Sequence, residues 1–211
     1  MISHKYKCIY IHIPRTAGSN IERTLCGKDW WFENPNTKHI KASLAKKIYR
    51  PYWDDYFKFS IVRSPWARMI SQYMAKIFNG HIYDSPDEDF FINHPEYFVS
   101  IDGHRCVSPN VGIKSNKGLE YFLKTYSPPI WEQESAIEYT DMLDVPLDFV
   151  GKYENLESDF NYIKQKIGFD GKLVGGPTGI KYKKFYNLRT VRLIEAMHPK
   201  SIEKFGYTFI I

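Results

Sequence analysis

Cys8-Ile-Tyr-Ile-His-Ile-Pro-Arg-Thr-Ala-Gly-Ser-Asn-Ile-Glu-Arg-Thr-Leu25 is the stretch whose reading decides the fold. Residues Tyr6–Ile13 are rich in β-branched and aromatic side chains and hold no turn signal, which predicts a buried strand. Pro14 has no N–H to give to a sheet ladder and so ends it. Gly18 lets the backbone turn sharply or come close to a ligand. Ser19 and Glu22 have capping-box spacing, which predicts a helix with Ser19 as its N-cap. A strand that passes through a glycine-containing turn into a helix N-terminus aims free N–H groups and the positive end of the helix dipole at one spot. Arg15 and the hydroxyls of Thr16 and Ser19 stand around that spot.

Two readings are open from these residues. Capping explains Ser19 and Glu22 with no ligand; an anion site explains the whole stretch. The usual nucleoside-triphosphate loop needs a Gly-Lys-Ser/Thr end, and no Lys follows Gly18. The run His12-Ile-Pro-Arg-Thr-Ala-Gly-Ser19 does resemble the 5′-phosphosulfate loop of sulfotransferases. The carbohydrate branch of that family typically reads His-Ile-Pro-Lys-Thr-Ala-Gly-Thr, so Arg15 replaces a Lys. The resemblance implies that Arg15, Thr16, Ala17, Gly18, Ser19 and Asn20 bind the 5′ end of a nucleotide donor.

A second stretch, Phe57-Lys-Phe-Ser-Ile-Val-Arg-Ser-Pro-Trp-Ala-Arg-Met-Ile-Ser-Gln-Tyr73, reads as a strand over Phe57–Arg63 and a helix opening at Pro65 behind a Ser64 cap. Arg63 lies at the strand end, and Arg68 and Ser71 share a helix face. Such a set can clamp a phosphate, or it can be a solvated face with a surface ion pair. Arg63, Pro65, Arg68, Ser71 and Tyr73 match every fixed position of the sulfotransferase 3′-phosphate motif Arg-x-Pro-x-x-Arg-x-x-Ser-x-Tyr. The resemblance gives the phosphate contacts to Arg63 and Ser71.

Two further segments extend the likeness. Asp148-Phe-Val-Gly-Lys-Tyr-Glu-Asn-Leu156 looks like the family's Asp-Phe-Ile-Gly-Arg-Tyr-Glu-Asn-Leu, although its residues carry little chemistry of their own. Lys181-Tyr-Lys-Lys-Phe-Tyr186, before a helix and Phe205-Gly-Tyr207, is similar to a basic aromatic loop that closes over the nucleotide, with Tyr182 and Lys183 as contacts. The resemblance spans Ile9 to Tyr207. It implies an α/β, three-layer P-loop-like fold with a central parallel sheet flanked by helices. It also implies 3′-phosphoadenosine 5′-phosphosulfate (PAPS) as sulfuryl donor, 3′-phosphoadenosine 5′-phosphate (PAP) as product, no metal, and a carbohydrate hydroxyl as acceptor. Arg15 would be catalytic, stabilising the departing phosphate. The acceptor proton needs a base. The family often has a His before a Pro-Gln pair; Pro129-Ile-Trp-Glu-Gln133 lacks it, which leaves His104, then Glu132 and Glu134.

The remaining pattern is consistent with one domain, 1–211. Strands alternate with helices, the third strand falling at Leu147–Lys152 and the third-strand helix behind Asn155. Helices are also expected over Ile40–Arg50, ended by Pro51, and over Asp87–Phe98, Gly118–Tyr126 and Leu188–Lys204, with His104–Lys117 and Lys172–Phe185 as loops. Hydrophobic content is 43% and net charge is +5, which suits anionic ligands but is too small to argue for nucleic acid. Cys8, Cys26 and Cys106 show no zinc spacing. With no signal-peptide pattern and no apolar run long enough to span a bilayer, a cytoplasmic setting is expected. Two other functions compete with sulfuryl transfer: a P-loop kinase, and a nucleotide- or polyanion-binding relative without catalysis.

Overall fold

The computed structural model describes residues 1–78, 98–101, 104–107, 119, 123, 138–176 and 181–210, with the backbone alone for 74–78, 98–101 and 104–107. The described chain divides into two compact units. The first comprises 1–64, 128–179 and 197–208; the second comprises 65–127, 180–196 and 209–211.

The first unit is built on a four-stranded sheet. Its strands are β1 (Ile2–Ser3), β2 (Cys8–Ile11), β3 (Phe57–Val62) and β6 (Phe149–Lys152), adjacent in that order. β2, β3 and β6 are parallel, with Ile11 opposite Ser60 and Val62 opposite Lys152; β1 adds an antiparallel edge absent from the sequence reading. β2 is shorter than Tyr6–Ile13 because Lys7, at φ 46, bends the chain immediately before it.

Side chains alternate across β2 as a pleated strand requires. Cys8 and Tyr10 join Phe59 and Ile61 in one core with Ile21 and Leu25 of α1 (Gly18–Cys26) and Leu156, Phe160 and Ile163 of the helix Leu156–Ile167. Ile9 and Ile11 face the other way, with Val62, against Ala42 and Ala45 of α2 (Ala42–Ile48), Trp53 of α3 (Arg50–Trp53), and Tyr139 and Met142. The result is the expected sheet between helical layers. Leu44 and Ile48, part of the apolar stripe that signals α2, lie on its outer side and are about half exposed (45% and 46%). The small Ala42 and Ala45 make the sheet contact instead. Pro51 does not merely end a helix; it sits in the first turn of α3, where its missing N–H costs nothing.

The second unit holds α4 (Pro65–Phe78) and an antiparallel hairpin, β4 (Phe98–Ile101) with β5 (His104–Val107). Phe98 was expected to end a helix and His104 to open a loop; both are in strands. Ile101 pairs with His104, so only Asp102 and Gly103, a pair of residue types that hairpin turns favour, separate the two. Residues 87–97 and nearly all of 118–126 lie outside the described residues. The helix expected over Leu188–Lys204 is two helices, Leu188–Met197 and Pro199–Phe205, because Pro199 cannot donate to a continuing helix. Numbered in chain order, Leu156–Ile167, Leu188–Met197 and Pro199–Phe205 are α5, α6 and α7. Asn187 caps α6 by exchanging bonds with Thr190 at 2.9 and 3.0 Å.

Candidate active site

Parallel strands place their carboxyl ends on one edge of a sheet, where ligands bind in open α/β folds. Here β2, β3 and β6 deliver the turn 14–17, Arg63 and Tyr153 to that edge, all within the first unit.

The turn after β2 is left-handed at two residues that are not glycine, Arg15 (φ 69) and Ala17 (φ 72). L-residues hold such angles at a cost, and they cluster where function requires them. Thr16, fully buried between them, donates its hydroxyl to Ile13 O at 2.7 Å. The first helical bonds run from Asn20 and Ile21 N–H to Ala17 O, so Gly18 and Ser19 N–H precede them at the helix N-terminus. Arg15 is exposed beside this end.

Two expectations change. Ser19 is not the N-cap: α1 begins at Gly18, Ala17 takes the cap position, and no side chain caps it. Glu22 is drawn away by stronger partners. Gly18 does not supply the positive φ of the turn either. A Cβ there would lie 1.9 Å from His12 Nε2, so the glycine makes room for that ring.

Glu22 is fully buried beneath the turn. One oxygen meets His12 Nδ1 at 2.6 Å; the other accepts Lys38 Nζ at 2.7 Å and Trp30 N–H at 3.0 Å. Lys38 also bonds Asp29 and reaches Ser19 Oγ at 3.4 Å. Burial pushes the Glu22 carboxyl up, but the bonds from His12, Lys38 and Trp30 outweigh it and bring it down to about 2. Asp29 is likewise held at about 2 against burial by Lys38, Ser19 and Trp31 N–H. Lys38 is 2% exposed, and no residue of this network except Ser19 was singled out from the sequence as part of a site. The segment 29–38 forms two short 3₁₀ turns, Trp30–Phe32 and Pro35–Thr37, that fold Asp29 and Lys38 inward.

His39 follows. Its Nδ1 donates to His12 O at 3.1 Å, and its ring packs edge-on against His12 at 4.4 Å. A carbonyl only accepts, so the proton sits on Nδ1 and the lone pair on Nε2. Burial, then the neighbouring His12, lowers its pKa to about 3.

At the end of β3, Arg63 is buried, and its Nη1 donates to Arg15 O at 3.1 Å. Its guanidinium lies 4.0 Å from the centre of the Tyr153 ring. The strand-end residue and the turn expected to hold the two phosphates of one nucleotide are therefore joined directly. A profile of the sulfotransferase family matches most of the chain, and the chain belongs to that family.

The family profile matches residues 1–193. The chain is 25% identical to Carbohydrate sulfotransferase 9 of Homo sapiens over 87% of its own length and 42% of that protein. It is 25% identical to Carbohydrate sulfotransferase 14 of Danio rerio over 80% and 48%. An uncharacterized protein of Archaeoglobus fulgidus is 28% identical over 64% of this chain and 82% of its own. The chain thus spans about half the length of the curated sulfotransferases it matches. No solved structure matches it. Family membership sets the kinase alternative aside.

The remaining expected residues are placed as follows. Thr16, Ala17, Gly18, Ser19 and Asn20 form the turn and first helical residues with Arg15. Gly175, in the loop that follows α5, approaches Asn20 closely: a Cβ there would lie 2.8 Å from Asn20 Nδ2. Ser71 is half-buried on α4, and Tyr182 and Lys183 open the 3₁₀ turn Tyr182–Phe185; all three belong to the second unit. His104 opens β5, and its side chain lies outside the described residues, as do Glu132 and Glu134. Among the described residues no helix is long and apolar enough to cross a membrane, and no cluster of His, Cys, Asp or Glu could hold a metal.

Proposed function

We propose that the protein transfers the sulfuryl group of PAPS to a carbohydrate hydroxyl. The observation that carries this reading is the bond from Arg63 to the carbonyl of Arg15 within a strained turn at a helix N-terminus. That arrangement offers N–H donors and an exposed cation at one end and a fixed guanidinium at the other. Those groups fit a nucleotide phosphorylated at both positions. Ser71, Tyr182 and Lys183 enter the reading through the resemblance alone, and the carbohydrate acceptor through the names of the relatives.

The donor supplies an activated sulfuryl group. The acceptor oxygen forms a bond to sulfur as the bond from sulfur to the 5′-phosphate oxygen breaks, and the acceptor proton leaves to a base. Gly18 and Ser19 N–H and Arg15 stabilise the charge that collects on the departing phosphate. The base assigned here is His39, because its Nε2 lone pair is fixed by the bond at Nδ1. Its pKa of about 3 keeps it unprotonated, and the negative charge of a bound donor would raise that pKa. His104, then Glu132 and Glu134, remain the candidates read from the sequence.

Transfer of labelled sulfate from PAPS to a panel of oligosaccharides tests the activity. PAP should raise the melting temperature well beyond adenosine 5′-phosphate. No transfer to any glycan, with PAP still bound, would make the protein a binding relative instead. Within an active protein, His39→Ala should lower kcat by about 10²-fold or more with PAP affinity unchanged. Full activity there and loss in His104→Ala would return the role to His104.

A further inference from the structure

The segment Lys152-Tyr-Glu154 has no chemistry when read alone, yet it surrounds Arg63. Val62 pairs with Lys152 in the parallel ladder, so residues 63 and 153 leave adjacent strands side by side. Tyr153 lays its ring under the Arg63 guanidinium at 4.0 Å. Glu154 Oε1 accepts Ser64 N–H at 2.7 Å, and Tyr139 donates its hydroxyl to Arg63 O at 2.8 Å. The one peptide group that follows Arg63 is thus held at its carbonyl and at its N–H by two residues more than 70 positions away. Tyr207 in turn donates to Glu154 Oε2 at 3.2 Å, and Lys152 Nζ donates to Phe205 O at 2.6 Å.

We propose that Tyr153 and Glu154 are positioning residues that fix the plane of Arg63, and that this fixing gives the protein its preference for a 3′-phosphorylated nucleotide. The proposal rests on the donor reading above. A guanidinium binds a phosphate through two parallel N–H groups and loses little freedom when its plane is already set. Tyr153 sets that plane by stacking, Arg15 O sets its rotation, and Glu154 with Tyr139 sets the backbone from which the side chain leaves. A long cation at a strand end without these contacts would sample many rotamers and discriminate poorly. Neither Tyr153 nor Glu154 need touch the nucleotide.

The test is calorimetric titration of the full chain with PAP and with adenosine 5′-phosphate, which lacks the 3′-phosphate. Tyr153→Leu should weaken PAP by about tenfold, as expected for a lost cation–π contact and a freed side chain, and leave adenosine 5′-phosphate within about twofold. Tyr153→Phe, which keeps the ring, should preserve both affinities. Glu154→Gln keeps the shape and serves if Tyr153→Leu does not fold; it should also weaken PAP more than adenosine 5′-phosphate. Equal weakening of both ligands, or unchanged PAP affinity in both variants, would overturn the positioning role. Wild-type protein that binds the two nucleotides equally would overturn the donor reading itself, whatever the variants do.

Discussion

The ends of β2 and β3 lie side by side on one sheet edge, and they are built in opposite ways. After β2 the groups proposed to bind the donor are mainly backbone N–H, the charged side chain Arg15 is in solvent, and the buried polar groups lie underneath in the Glu22–Lys38 network. After β3 the proposed group is one buried side chain, Arg63, packed on an aromatic ring. A backbone site keeps its shape through local turn geometry. A side-chain site depends on whatever packs around it. Damage beneath the first should therefore appear as lost stability, and damage around the second as lost selectivity.

The largest expected effect is on the floor of the turn. Lys38→Ala leaves Glu22 and Asp29 buried without their shared cation. Breaking a buried pair in this way costs about 3–5 kcal/mol, to be read by urea or thermal unfolding. Lys200, whose partner Asp141 is a surface contact, gives the control: Lys200→Ala should cost less than about 1 kcal/mol. Similar costs for the two would mean that the Lys38 network does not support the turn. Arg15→Ala should spare stability and lower kcat by about 10²- to 10³-fold, the cost of one preorganised donor. Unchanged turnover in that variant would move the 5′-phosphate away from this turn.

Gly18→Ala ranks next. Its new Cβ would collide with a ring that Glu22 holds in place, and nothing at the far end can swing away. Overpacking of this kind costs about 1–3 kcal/mol. The variant also separates two roles for the glycine, since its φ is ordinary. His12→Ala in the same chain should recover part of the loss; no recovery would mean the collision is with something else.

The contrast also explains what could be read from the sequence. The strand, the turn and the presence of a helix behind it are encoded within Cys8–Leu25 by neighbouring residues, and the parallel pairing of β2, β3 and β6 follows from alternation of strands with helices. Arg63 was legible as a strand-end cation. Its holders were not, because Tyr139 reaches its carbonyl across 76 residues from a 3₁₀ turn, and Glu154 reaches the Ser64 N–H across 90 residues through the parallel register of β3 with β6. Glu22 misled because Ser19 three residues earlier mimics a capping box, while its true partners, His12, Trp30 and Lys38, come from both sides of the helix. The β4–β5 hairpin was missed although Asp102-Gly103 marks it, since the strands are only four residues each.

Acid should act on the first unit in two stages. His39 has a folded pKa of about 3 against an ordinary 6.5, so the unfolded chain binds more protons between those values, and stability falls as pH drops below about 6.5. Glu22 and Asp29, depressed to about 2, add stability that is full above their ordinary values of 4.5 and 3.8 and is lost as pH falls toward 2. A pH series of urea midpoints should show both slopes, and His39→Gln should remove the upper one alone. An upper slope that survives His39→Gln would assign it to His12, whose pKa burial also lowers.

The smallest effect is expected where the chain departs from the family's loop. Arg15 and a Lys in its place would share the same left-handed backbone, so the conformational cost cancels in the exchange. Arg15 is exposed, which puts the stability change of Arg15→Lys within about 0.5 kcal/mol. The difference is in the head group. Arg grips two oxygens in a fixed plane, while Lys is a compact charge that can follow one oxygen as it becomes negative. Since Arg63 already holds the Arg15 carbonyl, the backbone of the turn does not depend on which cation stands there. Arg15→Lys should therefore keep kcat within about tenfold of wild type, in contrast to Arg15→Ala. A rise in kcat from a wild type without transfer would show that Arg15 binds the product phosphate well but serves the transition state badly, and that catalysis was lost at this one position. A fall as large as that of Arg15→Ala would show that the planar fork, not the charge, is what the departing phosphate needs.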